Sequence, residues 1–154
     1  MADAPVTHLL VLSRENACRS QMAEAWLRYF GGDRVQVASA GIDPGALRQA
    51  AVAAMEEAGV DLSGHYPKGL DEVELSRIEH VITVGDETSD PGGAFPDGVS
   101  RVHWAVPDPS ELGREFPALV TTGFRAVRDN VRDRAFLFLK RLGVTPAPLP
   151  GEAR

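Results

Sequence analysis

One polar stretch carries the residue types that could do chemistry, and it lies between an apolar run and a helical pattern. Residues 13–20 read SRENACRS. The first amides of a helix beginning here lack intrahelical acceptors, and the helix dipole is positive at this end, so the stretch favours an anion. Arg19 adds a planar guanidinium that can donate hydrogen bonds to two oxygens of a tetrahedral oxyanion. Asn16 tolerates the left-handed backbone conformation of a tight loop. We therefore predict an oxyanion site, against the simpler alternative of a polar turn with an exposed arginine.

The surrounding elements must hold this loop at the edge of a sheet. Short apolar runs predict buried parallel strands, and these are His8–Leu12, Val35–Ser39, His80–Val84 and Arg101–Val106. Apolar residues at helical spacing predict helices, and these are Gln21–Phe30, Ala46–Ala58, Leu70–Arg77 and Gly123–Leu142. Gly31 and Gly32 end the first helix, and Ser20 lies where its N-cap is expected, with a hydroxyl that could also point into the loop. This alternation predicts a three-layer α/β fold whose parallel sheet has about four strands, flanked by helices.

Ligands of such sheets lie at the carboxyl ends of the strands. Three polar loops meet that description, those following Leu12, Val84 and Val106. We therefore expect residues 13–20, residues 86–98 and Asp108 to be neighbours. The second of these loops is long enough to indicate a binding role or mobility.

Composition excludes several classes of function. The chain has 154 residues and a formal net charge of −6, so it lacks the basic surface that nucleic-acid binding needs. No apolar run approaches the roughly 20 residues of a membrane span, and the N-terminus does not resemble a signal peptide. Cys18 is the single cysteine, which rules out an internal disulfide and a cysteine-based zinc cage. We expect one cytoplasmic domain over residues 1–145, a disordered tail over 146–154, and no metal or cofactor.

The string SRENACRSQMAEAW at residues 13–26 resembles the signature loop and first helix of the low-molecular-weight protein tyrosine phosphatase superfamily, and most of all its arsenate reductase branch. That family's loop reads Cys-x5-Arg-Ser, commonly with Asn at its fourth position. Four further segments match in order: SAGIDP at 39–44, GVDLSGHYPKGL at 59–70, VITVGDE at 81–87 and HWAVPDP at 103–109. The resemblance implies a phosphotyrosine phosphatase I-like fold and a loop that binds phosphate, arsenate or a phosphorylated substrate. The residues implied to bind the oxyanion are Ser13, Arg14, Glu15, Asn16, Ala17, Cys18, Arg19 and Ser20.

The resemblance places the family's nucleophilic cysteine at Ser13. Such a loop lowers the pKa of a thiol from about 8.5 into the range 3.5–7.5, but a serine hydroxyl is a far weaker acid and has no obvious base beside it in sequence. We therefore expect binding to survive and turnover to fall by several orders of magnitude. Ser13 is either an engineered exchange in an enzyme or the native residue of a non-catalytic oxyanion- or phosphopeptide-binding module.

The resemblance also assigns catalytic roles to Arg19 and to Asp108, the latter as the general acid of an Asp-Pro loop. A turn-forming aspartate before proline is the alternative. The aromatic residues that usually follow this aspartate in phosphotyrosine-directed members are absent, which argues against an aryl phosphate pocket. Thioredoxin-coupled reductases need two further cysteines near the end of the third strand, where this chain has none. A Ser13→Cys enzyme would therefore be a phosphatase, or a reductase that uses an external low-molecular-weight thiol.

His65 belongs to a matched segment, and the resemblance implies that it supports the loop. The acidic residues of Asp71–Glu74 are most simply a solvated helix face. The residues interpreted as structural are the remaining histidines and the tryptophans: His8, His80, His103, Trp26 and Trp104.

Overall fold

The structure is a computed structural model that describes residues 5–85 and 95–151. Its sheet has four parallel strands: β1 Thr7–Ser13, β2 Val35–Gly41, β3 His80–Gly85 and β4 Ser100–Ala105. Its helices are α1 Arg19–Gly31, α2 Gln49–Glu57, α3 Ser110–Glu115 and α4 Val120–Arg141. The predicted α/β fold with a four-stranded parallel sheet is confirmed. In the described ranges, no helix is both long enough and apolar enough to span a membrane.

The strand β1 lies inside the sheet, in the order β2-β1-β3-β4. It pairs with β2 from Thr7 opposite Val35 onward, and with β3 on its other side. Successive side chains of a strand point to opposite faces, and Leu9 belongs to one hydrophobic core while Leu10 belongs to the other. Burial on both faces explains the continuous apolar run that predicted this strand.

The larger core lies between the sheet and the helices α1 and α4. Trp26 and Phe30 of α1 stack with ring centroids 5.3 Å apart, and Phe124 of α4 is 1% exposed in the same core. As predicted, α1 ends at a pair of glycines: Gly32 has a φ of 56° and its N–H bonds to the carbonyl of Arg28. Both tryptophans are core residues, as expected.

The other face of the sheet is covered by non-helical chain in the described residues. The predicted helix Leu70–Arg77 is wrong, since only Leu70–Glu72 forms a 3-10 turn. The carboxylate of Glu74 accepts bonds from the N–H and the hydroxyl of Ser76, and such local side-chain bonds compete with a helix. The acidic residues of this segment are exposed, but not on a helix face.

The structure differs from the sequence-based expectations in three further respects. The second helix begins at Gln49 rather than Ala46, because the backbone N–H of Arg48 bonds outside the helix, to Ala17. The helix α3 was not predicted. The expected disorder from Pro146 is contradicted for residues 146–151: Ala147 N–H bonds to Phe30, and Pro148 accepts the hydroxyl of Tyr29.

Candidate functional site

The loop after β1 opens at the point where the order of strands reverses. The chain leaves β1 to form β2 on one side of it and later forms β3 on the other. In open α/β sheets the crevice at such a switch point, outside the carboxyl ends of the strands, is where ligands bind. Residues 13–18 therefore lie where the topology alone favours a ligand.

The carbonyl groups of this loop are turned outward by a supporting segment, residues 42–48. The N–H groups of Ile42, Asp43, Gly45 and Arg48 bond to the carbonyls of residues 13, 14, 15 and 17, at 2.7–3.2 Å. The side-chain amide of Gln21 donates a hydrogen bond to the carbonyl of residue 16, and the N–H of Met22 in α1 donates to the carbonyl of residue 18. Among the described residues, no acceptor is found for the N–H groups of positions 15, 17 and 18. The inner side of the loop is thus a concave surface of amide donors, which favours an anion.

Gly41, the last residue of β2, permits this close approach. A Cβ atom at Gly41 would lie 2.8 Å from the carbonyl carbon of Glu15, 2.9 Å from the amide nitrogen of Asn16 and 3.0 Å from the carbonyl oxygen of Arg14. All three are backbone atoms, which move only with the loop. A side chain at position 41 is therefore incompatible with the loop as it stands.

Asn16 has a left-handed backbone and a fully buried side chain. Its φ of 55° is the one positive value at a non-glycine residue in the described ranges, as its residue type predicts. Its amide nitrogen donates to Ser20 and to Ser39 at 2.9 Å each, and its side-chain oxygen accepts the N–H of Lys68. Asn16 therefore connects the loop to β2 and to the segment that carries His65.

The hydroxyl of Ser13 has two partners and is 6% exposed as a residue. Its oxygen accepts the N–H of Asn16 at 3.0 Å and lies 2.7 Å from the oxygen of Ser20. Neither partner is a base that could remove a proton from a serine. Ser20 itself is not the N-cap of α1, which is Cys18 without a side-chain cap bond. The alternative holds instead: the Ser20 hydroxyl points into the loop.

The guanidinium of Arg19 reaches from the loop to the carboxyl ends of two strands. It donates to the carbonyl of Val106, beyond β4, at 2.7 Å, and lies 3.7 Å from the position of a Cβ atom on Gly85, at the end of β3. Residues 86–94, which include most of the second predicted loop, are outside the described residues. The predicted proximity of residues 13–20 and the loop after β4 is confirmed.

Asp108 lies beside this arginine and is held by its own turn. Burial alone would raise the pKa of its carboxyl, but bonds from the hydroxyl and N–H of Ser110, together with the charges of Arg19 and Arg48, hold that pKa below its usual value. Arg114 lies 3.6 Å away on its other oxygen. The carboxylate form is therefore favoured in this structure.

Cys18 does not have the environment of a reactive thiol. Burial raises the pKa of the Cys18 thiol to about 12, although the charges of Arg19 and Arg48 act in the opposite direction. The thiol is free of disulfide bonding and buried. Because the thiolate is the nucleophilic form, the buried Cys18 thiol is poorly suited to act as a nucleophile.

A buried polar layer supports the loop from behind. The carboxylate of Glu24, which is 4% exposed, accepts the hydroxyl of Ser39 at 2.7 Å. His65 Nδ1 lies 3.0 Å from the side-chain oxygen of Gln21 and 3.7 Å from Glu24. Burial lowers the pKa of His65, against the opposing effect of Glu24. His65 therefore contacts the residues that hold the loop. The strand histidine His103 bonds to Thr83, and His80 packs on Phe138.

The sequence alone did not predict the supporting roles of Gln21, Glu24, Ser39, Gly41 and Arg48. Gln21 and Glu24 offered a signal, because both lie among the apolar residues of the predicted helix, and a buried polar side chain needs hydrogen-bond partners. Gly41 and Arg48 gave none, since their importance arises from contacts with a loop that is distant along the chain.

The fold and the loop define an α/β protein with a concave, amide-lined loop at the carboxyl end of an inner strand of a parallel sheet. The sequence model of the low molecular weight phosphotyrosine protein phosphatase family matches residues 8–145. This chain belongs to that family.

Its relatives include arsenate reductases. That of Bacillus anthracis is 36% identical over 119 residues, which cover 77% of this chain and 84% of the relative. That of Halalkalibacterium halodurans is 36% identical over 124 residues, covering 80% and 88%.

Solved structures share the fold. One described as an arsenate reductase in the phosphate binding state has a TM-score of 0.75 at 24% identity, over 88% of this chain and 98% of the other. Vibrio vulnificus Wzb in complex with benzylphosphonate has a TM-score of 0.68 at 18% identity, with the same coverage.

Proposed function

We propose that this protein binds phosphate or arsenate in the loop of residues 13–20, as a member of the arsenate reductase and phosphatase family whose nucleophile position is Ser13. The observation that carries the proposal is the direction of the loop backbone. Its carbonyls are bonded on the outside, its inner amides have no acceptor among the described residues, and Arg19 stands at the rim. An anion with several oxygens satisfies such donors, and both phosphate and arsenate have the required shape and charge.

The surroundings of Ser13 support its role as the nucleophile position. The N–H of Asn16 and the hydroxyl of Ser20 face its side-chain oxygen, and both donors would stabilise a thiolate at this place. They do not make serine acidic enough to ionise. We therefore propose that the chain as it stands binds its oxyanion with strongly impaired turnover.

A Ser13→Cys variant would carry out the family's phosphatase chemistry. Its sulfur attacks phosphorus, the bond to the leaving oxygen breaks, Asp108 gives that oxygen a proton, and water later cleaves the phosphorus–sulfur bond. Because the free structure favours the Asp108 carboxylate, the bound dianion must raise the pKa of Asp108 for this step. Reduction of arsenate would instead need an external low-molecular-weight thiol as electron donor, since the chain lacks the two further cysteines near the end of the third strand that thioredoxin-coupled reductases need.

The test combines binding and turnover. We expect calorimetry to detect phosphate binding by the unaltered protein, and Arg19→Ala to weaken it by about 10–100-fold through loss of charge-assisted hydrogen bonds. Arg141→Ala, an exposed arginine at the far end of α4, is the matched control and should bind normally. If Arg19→Ala binds phosphate as well as the control, the loop is not the site.

Turnover separates the enzyme from a second candidate, a native binding module without catalysis. The absence of any base among the two partners of Ser13 favours that second candidate for the chain as it stands. We expect Ser13→Cys to gain at least about 10³-fold in hydrolysis of 4-nitrophenyl phosphate or in glutathione-dependent arsenate reduction. Phosphate binding with neither activity in the cysteine variant would favour the binding module.

A further inference from the structure

The open side of the loop, called its mouth below, carries more positive charge than a single oxyanion requires. The chain has a net charge of −6, yet Arg19 and Arg48 both act electrostatically on Asp108, and Arg114 lies against the same carboxylate. Arg19 belongs to the site proposed above. Arg114 is paired with Asp108, whereas Arg48 is a cation to which the proposed function gives no role.

The backbone of Arg48 is fixed to the loop. Its N–H donates to the carbonyl of Ala17 at 3.0 Å, and its extended conformation, with a ψ of 120°, precedes the first turn of α2. This hydrogen bond fixes the backbone of Arg48 next to the loop, so its side chain extends from a defined position.

The side chain of Arg48 lies on an aromatic surface. Its guanidinium carbon is 5.6 Å from the ring centroid of Phe124, and Phe124 is 1% exposed and so cannot swing away. A cation held over a ring in this way stays oriented without losing its exposure to solvent. Arg48 itself is exposed, and within the described parts of the chain it forms no ion pair. The guanidinium of Arg48 is therefore held in place by Phe124 while its N–H donors remain accessible to a ligand.

The charge of Arg48 acts on two groups beside the loop. It acts on the Cys18 thiol, at the start of α1, and on the Asp108 carboxyl, which follows β4. The guanidinium over Phe124 therefore lies within electrostatic range of groups at the start of α1 and after β4.

We propose that Arg48, supported by Phe124, binds a second anionic group on the ligand, so that the preferred organic substrates are phosphate monoesters that also carry a carboxylate or a second phosphate. This inference rests on the proposed function and extends it to the class of substrate. Inorganic phosphate and arsenate would occupy the loop alone.

Three phosphonates test the proposal by calorimetry at low ionic strength. Methylphosphonate fills the loop only, phosphonoacetate adds a carboxylate, and methylenediphosphonate adds a second phosphonate. We expect the unaltered protein to bind at least one of the last two about 5–20-fold more tightly than methylphosphonate, and the better of them identifies the second group. Arg48→Gln should reduce this preference to less than about twofold while methylphosphonate still binds.

Controls distinguish a specific contact from general attraction. Arg141→Gln changes the net charge equally but lies at the other end of α4, about 25 Å from Phe124 along the helix, and it should keep the preference. Arg48→Lys keeps the positive charge but loses the planar guanidinium that donates two parallel hydrogen bonds. We therefore expect its preference for the second anionic group to lie between those of the unaltered protein and Arg48→Gln.

Two results would overturn the inference alone: no preference in the unaltered protein, or a preference that survives in Arg48→Gln. Failure of the unaltered protein to bind methylphosphonate and inorganic phosphate would overturn the proposed function as well.

Discussion

The substitution Gly41→Ala tests whether the loop depends on its close approach to β2. The added methyl group would lie 2.8–3.0 Å from three backbone atoms of residues 14–16, well inside ordinary contact distance. Because none of these atoms belongs to a flexible side chain, the loop must move by several tenths of an ångström. Overpacking of this kind costs about 1–3 kcal/mol, which corresponds to a fall in Tm of roughly 2–12 °C for a chain of this size.

The displaced loop should also bind phosphate less tightly, by about tenfold or more, because loss of one charge-assisted hydrogen bond has that effect. Thermal unfolding with and without phosphate measures both consequences, since a bound ligand raises Tm according to its affinity. Gly64→Ala is the matched control: a Cβ atom at Gly64 meets no other atom within 4 Å. If Gly41→Ala and Gly64→Ala have the same Tm and the same phosphate affinity, the close contact does not shape the loop.

Four further predictions concern the groups around the loop. Because burial raises the pKa of Cys18 to about 12, its thiol should react with a disulfide reagent at pH 8 far more slowly in the native protein than in guanidinium chloride. Equal reaction rates would contradict the burial of the Cys18 thiol. A thiol introduced by Ser13→Cys should react readily at pH 7 and be protected by phosphate. Burial lowers the pKa of His65 below its ordinary value of 6.5, so as pH falls the unfolded chain binds a proton at this histidine before the folded protein does. The free energy of unfolding should therefore fall as pH drops below about 6.5. Urea unfolding at pH 7.5 and pH 5 should show a smaller fall in His65→Gln than in the unaltered protein, and equal falls would argue against a lowered pKa of His65. Glu24→Gln weakens the bond to Ser39 and should cost about 1–2 kcal/mol in urea unfolding, whereas an unchanged stability would mean that this bond contributes little.

The sheet was predictable because its signal is local. The apolar run at His8–Leu12 predicts a strand with two buried faces, and β1 has them. Polar loops following apolar runs predict the edge at which the site lies, and the structure brings Arg19 to the end of β4 there. Asn16 is similar, since its residue type already favours the left-handed backbone that it adopts.

The rest depends on contacts that no local pattern reveals. The outward direction of the loop carbonyls is set by residues 42–48, which approach only because Gly41 has no side chain. The segment 70–77 has an apolar spacing that suits a helix, but its apolar residues pack against the second face of the sheet as non-helical chain. Residues 146–151 have the composition of a disordered tail, yet they bond to the end of α1.

The supporting segment of residues 42–48 has a consequence for the rate at which an oxyanion binds. Its hydrogen bonds hold the loop in shape without help from a ligand, so an arriving anion meets donors that are already aligned. Association should then be limited by diffusion and by the charge at the mouth, rather than by a slow rearrangement of the loop. Differences in affinity between related anions should accordingly reside in their dissociation rates, and salt should slow their association.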